Sequence, residues 1–213
     1  MKKLIAFFGG SGGLGTKVTQ YLTQYKVDSL SSKDVNLVNS SDIDIYLHNN
    51  EPDVIVIFSN YNFNSFLHKY TNNEKDLYTQ IDVNIKGVTE LVSKTLVGMR
   101  ARGFGRIILA SSVTVDKNVM GTGIYAASKA YYENLVKTIA LENASKGITA
   151  NCIQLGYMDG GLTYTLPDEF IQNTINSIPV KRLGKPKEIA STIEFLINNE
   201  YVNGSTLKLT GGL

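Results

Sequence analysis

Residues 4–15 read Leu-Ile-Ala-Phe-Phe-Gly-Gly-Ser-Gly-Gly-Leu-Gly, a short apolar run followed by a glycine-rich loop. The apolar run predicts a buried parallel strand, and the apolar spacing over 14–25 predicts an amphipathic helix. Glycines between a strand and a helix allow a sharp turn, and they let the backbone approach a phosphate at the free N–H groups of the helix. An ordinary tight turn is the alternative, but the position of the loop favours a phosphate-binding turn.

Strands and helices are predicted to alternate along the rest of the chain. The predicted strands are 4–8, 27–30, 35–38, 53–58, 106–110, 148–155 and 206–209. The predicted helices are 14–25, 41–50, 77–102, 123–146, 167–177 and 186–199, with Ser41 as the N-cap of the second. Repeated strand–helix units with right-handed crossovers predict an α/β fold, a doubly wound parallel sheet with helices on both faces. No linker or repeat interrupts the pattern, so residues 1–213 are predicted to form a single domain.

Composition and charge narrow the classes of partner. The 213 residues carry 21 Lys and Arg against 19 Asp and Glu, so nothing favours nucleic acid or an acidic membrane surface. No apolar stretch in the sequence is long enough to cross a bilayer. The single cysteine, Cys152, allows no intrachain disulfide, so we expect a cytoplasmic protein with Cys152 as a small core residue. No Cys/His cluster indicates a metal site.

The second half of the chain holds a candidate catalytic group. Tyr125 and Lys129 are four residues apart early in a predicted helix, so they share one face. An ammonium near a phenol lowers the pKa of the phenol, which suits proton transfer to a carbonyl oxygen. Ser112 follows a predicted strand, where ligand crevices form in parallel sheets. The alternatives are a solvated helix face for the pair and a turn role for Ser112, with Ser111 equally able to serve as the functional serine.

These segments, taken in order, resemble the short-chain dehydrogenase/reductase family, and 3-oxoacyl-(acyl-carrier-protein) reductases in particular. The resemblance rests on residues 9–15, 82–87, 110–113, 125–129, 182–190 and 211–213. It covers nearly the whole chain and implies a Rossmann-type fold. It also implies an oxidoreductase that acts on CH–OH and C=O groups with NAD(P).

The resemblance implies a role for each of four catalytic residues. Tyr125 is the proton donor, and Lys129 lowers its pKa and holds the nicotinamide ribose. Ser112 orients and polarises the substrate carbonyl, whereas Asn84 supports a water in a proton relay through Lys129. The implied reaction reduces a ketone, 3-oxoacyl-like or a similar small carbonyl substrate, to an alcohol.

The cofactor is expected along the same edge of the sheet. The candidate contacts are Gly9, Ser11, Gly12, Gly13, Leu14, Gly15, Ser31, Ser32, Lys33, Asn36, Ser59, Asn60, Tyr125, Lys129, Gly156 and Met158. After the second predicted strand, residues 30–33 contain two serines and a lysine but no acid. Hydroxyls and an ammonium suit a 2′-phosphate, which favours NADP(H) over NAD(H), although Lys33 as an exposed loop lysine is the alternative.

Four features depart from the family pattern. Phe8 replaces a threonine, residues 57–60 replace the Asn-Asn-Ala-Gly segment, Leu155 replaces a proline, and a helix between the second and third predicted strands is missing. The short cofactor half resembles nucleotide-sugar reductases. Two alternative functions therefore stay open: a keto-sugar nucleotide or polyketide-type ketoreductase, and a non-catalytic nucleotide-binding protein.

The sequence predicts less about the substrate pocket and about the oligomeric state. Residues 157–177 are expected to vary as a lid and a moderately apolar pocket. The family resemblance implies a homodimer or homotetramer. The residues considered for its interface, each of which also fits the core, are Leu91, Val92, Leu135, Val136 and Ile139.

Overall fold

A sheet of six parallel strands forms the centre of the molecule. The computed structural model describes residues 2–213, except for the side chain of Asp168. The strands are β1 (Leu4–Phe8), β2 (Lys26–Leu30), β3 (Val54–Ile57), β4 (Gly105–Ser112), β5 (Ile148–Leu155) and β6 (Thr206–Leu209). They lie in the order β2-β1-β3-β4-β5-β6, and each neighbouring pair is parallel. The predicted α/β fold class is confirmed.

Helices cover both faces of this sheet. They are α1 (Gly13–Thr19), α2 (Ser40–Asn49), α3 (Glu74–Ile81), α4 (Val88–Arg102), α5 (Gly123–Asn143), α6 (Asp168–Ser177) and α7 (Pro186–Asn198). Short 3₁₀ turns occupy Leu67–Asn72, Val113–Val115, Ala144–Lys146 and Gly161–Thr165. Within residues 2–213, no helix has the length and apolar character that a membrane crossing needs.

The two faces of the sheet form two separate cores. Alternate residues of a strand point to opposite faces, so Ile107 of β4 packs with Tyr132 and Val136 of α5. Ile108, the next residue, packs with Ile189 of α7 on the other side. Every residue of β4 is buried, as expected for a central strand that is covered on both faces.

The loop after β2 is a turn, and the predicted strand at 35–38 is wrong. The amide of Val35 donates to the carbonyl of Ser31, and the amide of Asn36 donates to the carboxylate of Asp42. Val35 and Leu37 are still buried, which explains the alternating pattern that predicted a strand. Their backbone groups bond within the turn and to side chains, so β2 remains the edge of the sheet.

Two helix boundaries also differ from the prediction. Helix α1 ends at Thr19 rather than at residue 25, because the amides of Tyr21 and Leu22 bond three residues back and tighten the chain. Leu22 remains fully buried after the helix ends, so its apolar spacing reflects the core. The N-cap of α2 is Asn39, whose side chain accepts from the amide of Ser41 at 3.1 Å, and not Ser41 itself.

The single helix predicted over 77–102 is divided by a wider turn. A π-helical turn at Asp82–Gly87 separates α3 from α4. Gly87 sits where the chain after β2 crosses the helix: a Cβ at this position would lie 2.5 Å from the carbonyl oxygen of Leu37. Only glycine allows this approach, so the turn after β2 and the start of α4 form one packed unit.

The residues considered for a subunit interface belong mainly to the core of the chain itself. Leu91, Val92, Val136 and Ile139 are each at most 3% exposed and pack between α4, α5 and the sheet. Leu135 is partly buried against the same cluster. The four buried positions therefore serve the core of the chain, and the interface stays a prediction.

Candidate active site

A cleft of about 770 Å³ opens where β1, β3, β4 and β5 end. Three of the four predicted catalytic residues line it, namely Ser112, Tyr125 and Lys129. The glycine-rich loop lines the same cleft. Parallel strands place their carboxyl ends at one edge, which explains why segments far apart in sequence meet here.

The glycine-rich loop is closed by contacts that exclude side chains. Gly9 has a φ of +86°, and a Cβ on Gly15 would lie 2.2 Å from the carbonyl oxygen of Gly9. Gly12 is the N-cap of α1 and provides no side-chain cap, while Ser11 is exposed at the tip of the loop. Backbone therefore faces the cleft directly along this loop. The loop residues that line the cleft are Gly9, Gly12, Gly13, Leu14 and Gly15.

Tyr125 and Lys129 lie on one face of α5, as their spacing predicted. The ammonium nitrogen of Lys129 lies over the Tyr125 ring, 5.6 Å from its centroid. Lys129 is 2% exposed, and burial lowers its pKa to about 7. Burial also raises the pKa of Tyr125, partly opposed by a hydrogen bond from Ser112. The phenol pKa is therefore raised rather than lowered, because desolvation by burial outweighs the hydrogen bond from Ser112.

Ser112 ends β4 and is held by the turn that follows. Its Oγ accepts hydrogen bonds from the amide of Thr114 at 3.2 Å and from the Thr114 hydroxyl at 3.0 Å. With its lone pairs occupied by Thr114, the Ser112 hydroxyl can act only as a hydrogen-bond donor, and Tyr125 is the neighbour to which it donates. The hydroxyl of neighbouring Ser111 instead donates to Glu133 at 2.5 Å. This geometry favours Ser112 over Ser111 as the serine that faces a ligand.

Asn84 is fully buried in the π-helical turn, and the structure does not bring it to the lining of the cleft. Its Oδ1 accepts from the amide of Tyr61 at 2.8 Å, and its Nδ2 donates to the carbonyl of Tyr61 at 2.8 Å. The side chain therefore braces the loop that follows β3. The predicted support of a water remains a prediction.

Comparison with known proteins identifies the family. Residues 52–213 match a family model described as enoyl-(acyl carrier protein) reductase. The chain is 36% identical over 163 residues to the acetoacetyl-CoA reductase of Shinella zoogloeoides, covering 75% of this chain and 67% of that protein. A solved short chain dehydrogenase/reductase family protein superposes with a TM-score of 0.85 over 99% of this chain and 97% of the other, at 24% identity, which shows a shared fold. This chain belongs to the short-chain dehydrogenase/reductase family.

Two further relatives match different lengths of the chain. The acetoacetyl-CoA reductase of Allochromatium vinosum is 38% identical over 135 residues, 62% of this chain and 55% of that protein. The 3-oxoacyl-(acyl-carrier-protein) reductase MabA of Mycobacterium bovis is 27% identical over 224 aligned residues, 96% of this chain and 90% of that protein. The chain thus spans little more than half the length of the first relative in that match.

This short-chain dehydrogenase/reductase has an unexpected acid after β2. The carboxylate of Asp34 accepts from the amide of Ser31 at 2.8 Å and from its hydroxyl at 2.6 Å. These bonds lower the pKa of Asp34. Asp34 directly follows residues 30–33, from which the sequence predicted no acid, although a serine followed three residues later by an acidic residue is the spacing of a capping box. Ser32 and Lys33 are exposed beside it.

The remaining candidate cofactor residues divide into two groups. Asn60, Gly156 and Met158 line the cleft. Ser59 donates its amide to the carbonyl of Phe8, which fixes the start of the loop against β1. Asn36 lies in the turn after β2, where its Oδ1 accepts from the amide of Val38 at 3.3 Å.

The segment after β5 lies directly on the glycine-rich loop. Gly161 packs beside Leu14, and a Cβ on Gly161 would lie 3.1 Å from the Cβ of Leu14. Lys17 of α1 pairs with Asp159 at 3.3 Å, and its ammonium lies 5.0 Å from the centroid of the Tyr164 ring. The Tyr164 hydroxyl also donates to Asp159. Sequence reasoning missed Lys17, because only the fold shows which residue of α1 meets this segment.

Proposed function

We propose that this chain is an NADP(H)-dependent carbonyl reductase that converts a ketone to an alcohol, with Tyr125 as the proton donor. The observation that carries the proposal is that Ser112, Tyr125 and Lys129 line one cleft together with the glycine-rich loop. Membership of the short-chain dehydrogenase/reductase family supports it. So do relatives named acetoacetyl-CoA reductase and 3-oxoacyl-(acyl-carrier-protein) reductase.

The residues present fit a dinucleotide. Gly9, Gly12 and Gly13 face the cleft with no side chain between backbone and ligand, as close approach of a pyrophosphate requires. When bound, the nicotinamide supplies the hydride for carbonyl reduction. We assign Lys129 to the nicotinamide ribose, and Asn60, Gly156 and Met158 to the remaining contacts inside the cleft.

Each catalytic side chain then has a distinct task. Ser112 directs its hydroxyl hydrogen to the substrate carbonyl, because Thr114 already occupies its lone pairs. Tyr125 is protonated at neutral pH, because an ordinary phenol titrates near 10 and burial raises the pKa of this one further, so it has a proton to give to the alkoxide oxygen. The ammonium of Lys129 stabilises the phenolate that is left. Asn84 acts through the Tyr61 backbone and keeps the wall after β3 in place.

The preference for NADP(H) rests on the turn after β2. Ser31, Ser32 and Lys33 offer hydroxyl and ammonium donors to a 2′-phosphate, with Asn36 further along the same turn. Asp34 opposes this preference, because its carboxylate already accepts the Ser31 hydroxyl hydrogen. We therefore expect NADPH to bind more tightly than NADH, but by a modest factor.

The substrate we propose is a 3-oxoacyl compound or a similar small ketone. Leu162, Leu166 and Phe170 line the outer part of the cleft and offer apolar contact to an acyl chain. The test follows NADPH oxidation with acetoacetyl thioesters, keto-sugar nucleotides and simple ketones. Turnover of the thioester supports the proposal. Faster turnover of a keto-sugar nucleotide would instead indicate that keto-sugar nucleotides are the substrate class. Firm cofactor binding with no turnover of any ketone would instead indicate a non-catalytic nucleotide-binding protein.

We also propose that the chain assembles as a homodimer or homotetramer. Val97 of α4 and Leu141 of α5 are 71% and 87% exposed, so the outer surface of these helices carries apolar side chains that the chain does not cover. Light scattering coupled to gel filtration measures the mass. A monomer at micromolar concentration contradicts the proposal, and Leu141→Lys tests whether this surface is used.

A further inference from the structure

Lys129 is a buried cation without an acidic partner. It is 2% exposed, and within the described part of the chain none of the ion pairs involves it. Its ammonium instead lies 4.6 Å from the centroid of the Tyr132 ring, closer than the 5.6 Å to the ring of Tyr125. An aromatic face within about 6 Å attracts a cation, and the attraction is strongest where water is excluded.

The other titratable groups near Lys129 form no ion pair with it within the described residues. Cys152 on β5 is buried, and burial raises the pKa of its thiol, so the thiol is neutral. Glu133, one turn along α5, has an oxygen that accepts from Ser111 at 2.5 Å and from Gln154 at 3.1 Å. Tyr131, on the same helix, shares a hydrogen bond of 2.6 Å with Thr89. Of the two aromatic faces beside the ammonium, the Tyr132 ring is thus the nearer.

The Tyr132 side chain is held in one place by its packing in the core. It is fully buried, and its hydroxyl has no hydrogen-bond partner within the described residues. Tyr125, Lys129 and Tyr132 follow one another at intervals of four and three residues on α5, so the helix holds all three on one face. The ring cannot leave the ammonium without unpacking the core between α5 and the sheet.

We propose that Tyr132 is a positioning residue whose ring holds the Lys129 side chain against Tyr125 and stabilises the charged form of its ammonium; the consequence for catalysis rests on the proposed function. The sequence itself gives no sign of this role, because a tyrosine three residues after a lysine is usually part of a core face. The role belongs to the ring and not to the hydroxyl.

The experiment changes the electron density of the aromatic ring at position 132 and keeps a ring of similar size there. Tyr132→Phe is compared with variants that carry mono-, tri- and pentafluorinated phenylalanine at position 132, which have a similar size and a progressively weaker negative face. Lysine labelled with ¹³C at Cε reports the titration of Lys129 by NMR without cofactor or substrate. Lys129→Met identifies the signal. The pH dependence of kcat/KM is measured on the same proteins.

We expect Tyr132→Phe to leave the Lys129 titration midpoint within about 0.3 pH units of the original, whereas pentafluorination lowers it by roughly one pH unit. The alkaline limb of kcat/KM should move in the same direction. A Lys129 titration midpoint that does not change with fluorination overturns the proposal. A midpoint that already shifts fully in Tyr132→Phe overturns it as well. Because the titration needs no substrate, it decides the role of Tyr132 even if the protein reduces no ketone.

Discussion

The two ends of the cofactor region are built in different ways. At the catalytic end, Tyr125 and Lys129 stand on a 21-residue helix, and Ser112 ends a strand whose residues are all buried. At the other end, residues 31–39 form a turn that buries Val35 and Leu37 and exposes residues 32–34, and Asp34 and Asp42 hold it through bonds to backbone amides. Rigid elements fix the first group, whereas local hydrogen bonds of short side chains fix the second.

This difference explains which side chains already have the hydrogen-bonding geometry for their proposed role before a ligand is bound. Thr114 occupies the lone pairs of the Ser112 hydroxyl, so this hydroxyl is set as a hydrogen-bond donor before any ligand is bound. The hydroxyl of Ser31 is bound to Asp34 and has to be released before it contacts a phosphate. Changes at the catalytic end should therefore alter rates strongly, and changes at the turn should alter cofactor choice mildly.

The largest effect is expected from Tyr125→Phe, which keeps the ring and removes the transferable proton. We expect kcat to fall by about 10³-fold, in line with the usual contribution of a general acid. Tyr131→Phe, on the same helix, is the matched control and should retain activity. Stopped-flow measurement of NADPH oxidation checks both. A loss of less than about tenfold in a well-folded Tyr125→Phe protein would rule out this residue as the proton donor.

Lys129→Met should separate function from stability. We expect turnover to fall by about 100-fold and the free energy of unfolding at pH 7 to rise, because an unpaired buried ammonium is removed. The folded pKa of about 7 lies below the ordinary lysine value of 10.5, so between these two pH values the unfolded state binds more protons. Stability of the parent protein should therefore rise as the pH increases from about 7 towards about 10.5, with the Lys129 contribution at most about 1.4 kcal/mol per pH unit.

Chemical denaturation across this pH range measures the slope. The rise should be absent in Lys129→Met and retained in Lys137→Met, which removes an exposed lysine from the same helix. An identical slope in the parent protein and in Lys129→Met would mean that Lys129 does not titrate near neutral pH.

Asn84→Ala tests the brace behind the catalytic end. Removing the amide leaves the backbone amide and carbonyl of Tyr61 without their partner, which should lower the free energy of unfolding by about 2–4 kcal/mol. We also expect a higher KM for cofactor, because the loop after β3 loosens. Asn143→Ala is the control: Asn143 is also buried with two side-chain hydrogen bonds, but it lies outside the cleft. If both variants leave KM unchanged, Asn84 has no role beyond stability.

Much of the fold and the grouping of the candidate site residues Tyr125 and Lys129 could be predicted from the sequence, because both depend on periodic patterns. Buried parallel strands read as apolar runs, and the four-residue spacing of Tyr125 and Lys129 fixes their common face on a helix. The strand pattern failed at Val35 and Leu37, which alternate and are buried but belong to a turn. Burial alone produces that alternation, so the pattern cannot distinguish a turn against the core from a strand.

The parts that escaped prediction depend on contacts between distant segments. The carboxamide of Asn84 pairs with Tyr61 only because the π-helical turn brings the two together. Lys17 meets Asp159 across the glycine-rich loop, at a separation of 142 residues. Neither contact follows from local spacing, and each requires the sheet order to be known first.

The smallest effect is expected at the turn after β2, and it decides how far the two ends differ. Asp34→Asn removes a negative charge beside Ser31 and Lys33, so the ratio of NADPH to NADH affinity should rise about three- to tenfold. The effect should shrink as salt is added, because the turn is exposed. Asp44→Asn, which removes an exposed charge from α2, should leave the ratio unchanged. Fluorescence titration with both cofactors measures the ratio, and an unaltered ratio in Asp34→Asn would mean that the 2′-phosphate is bound away from this turn.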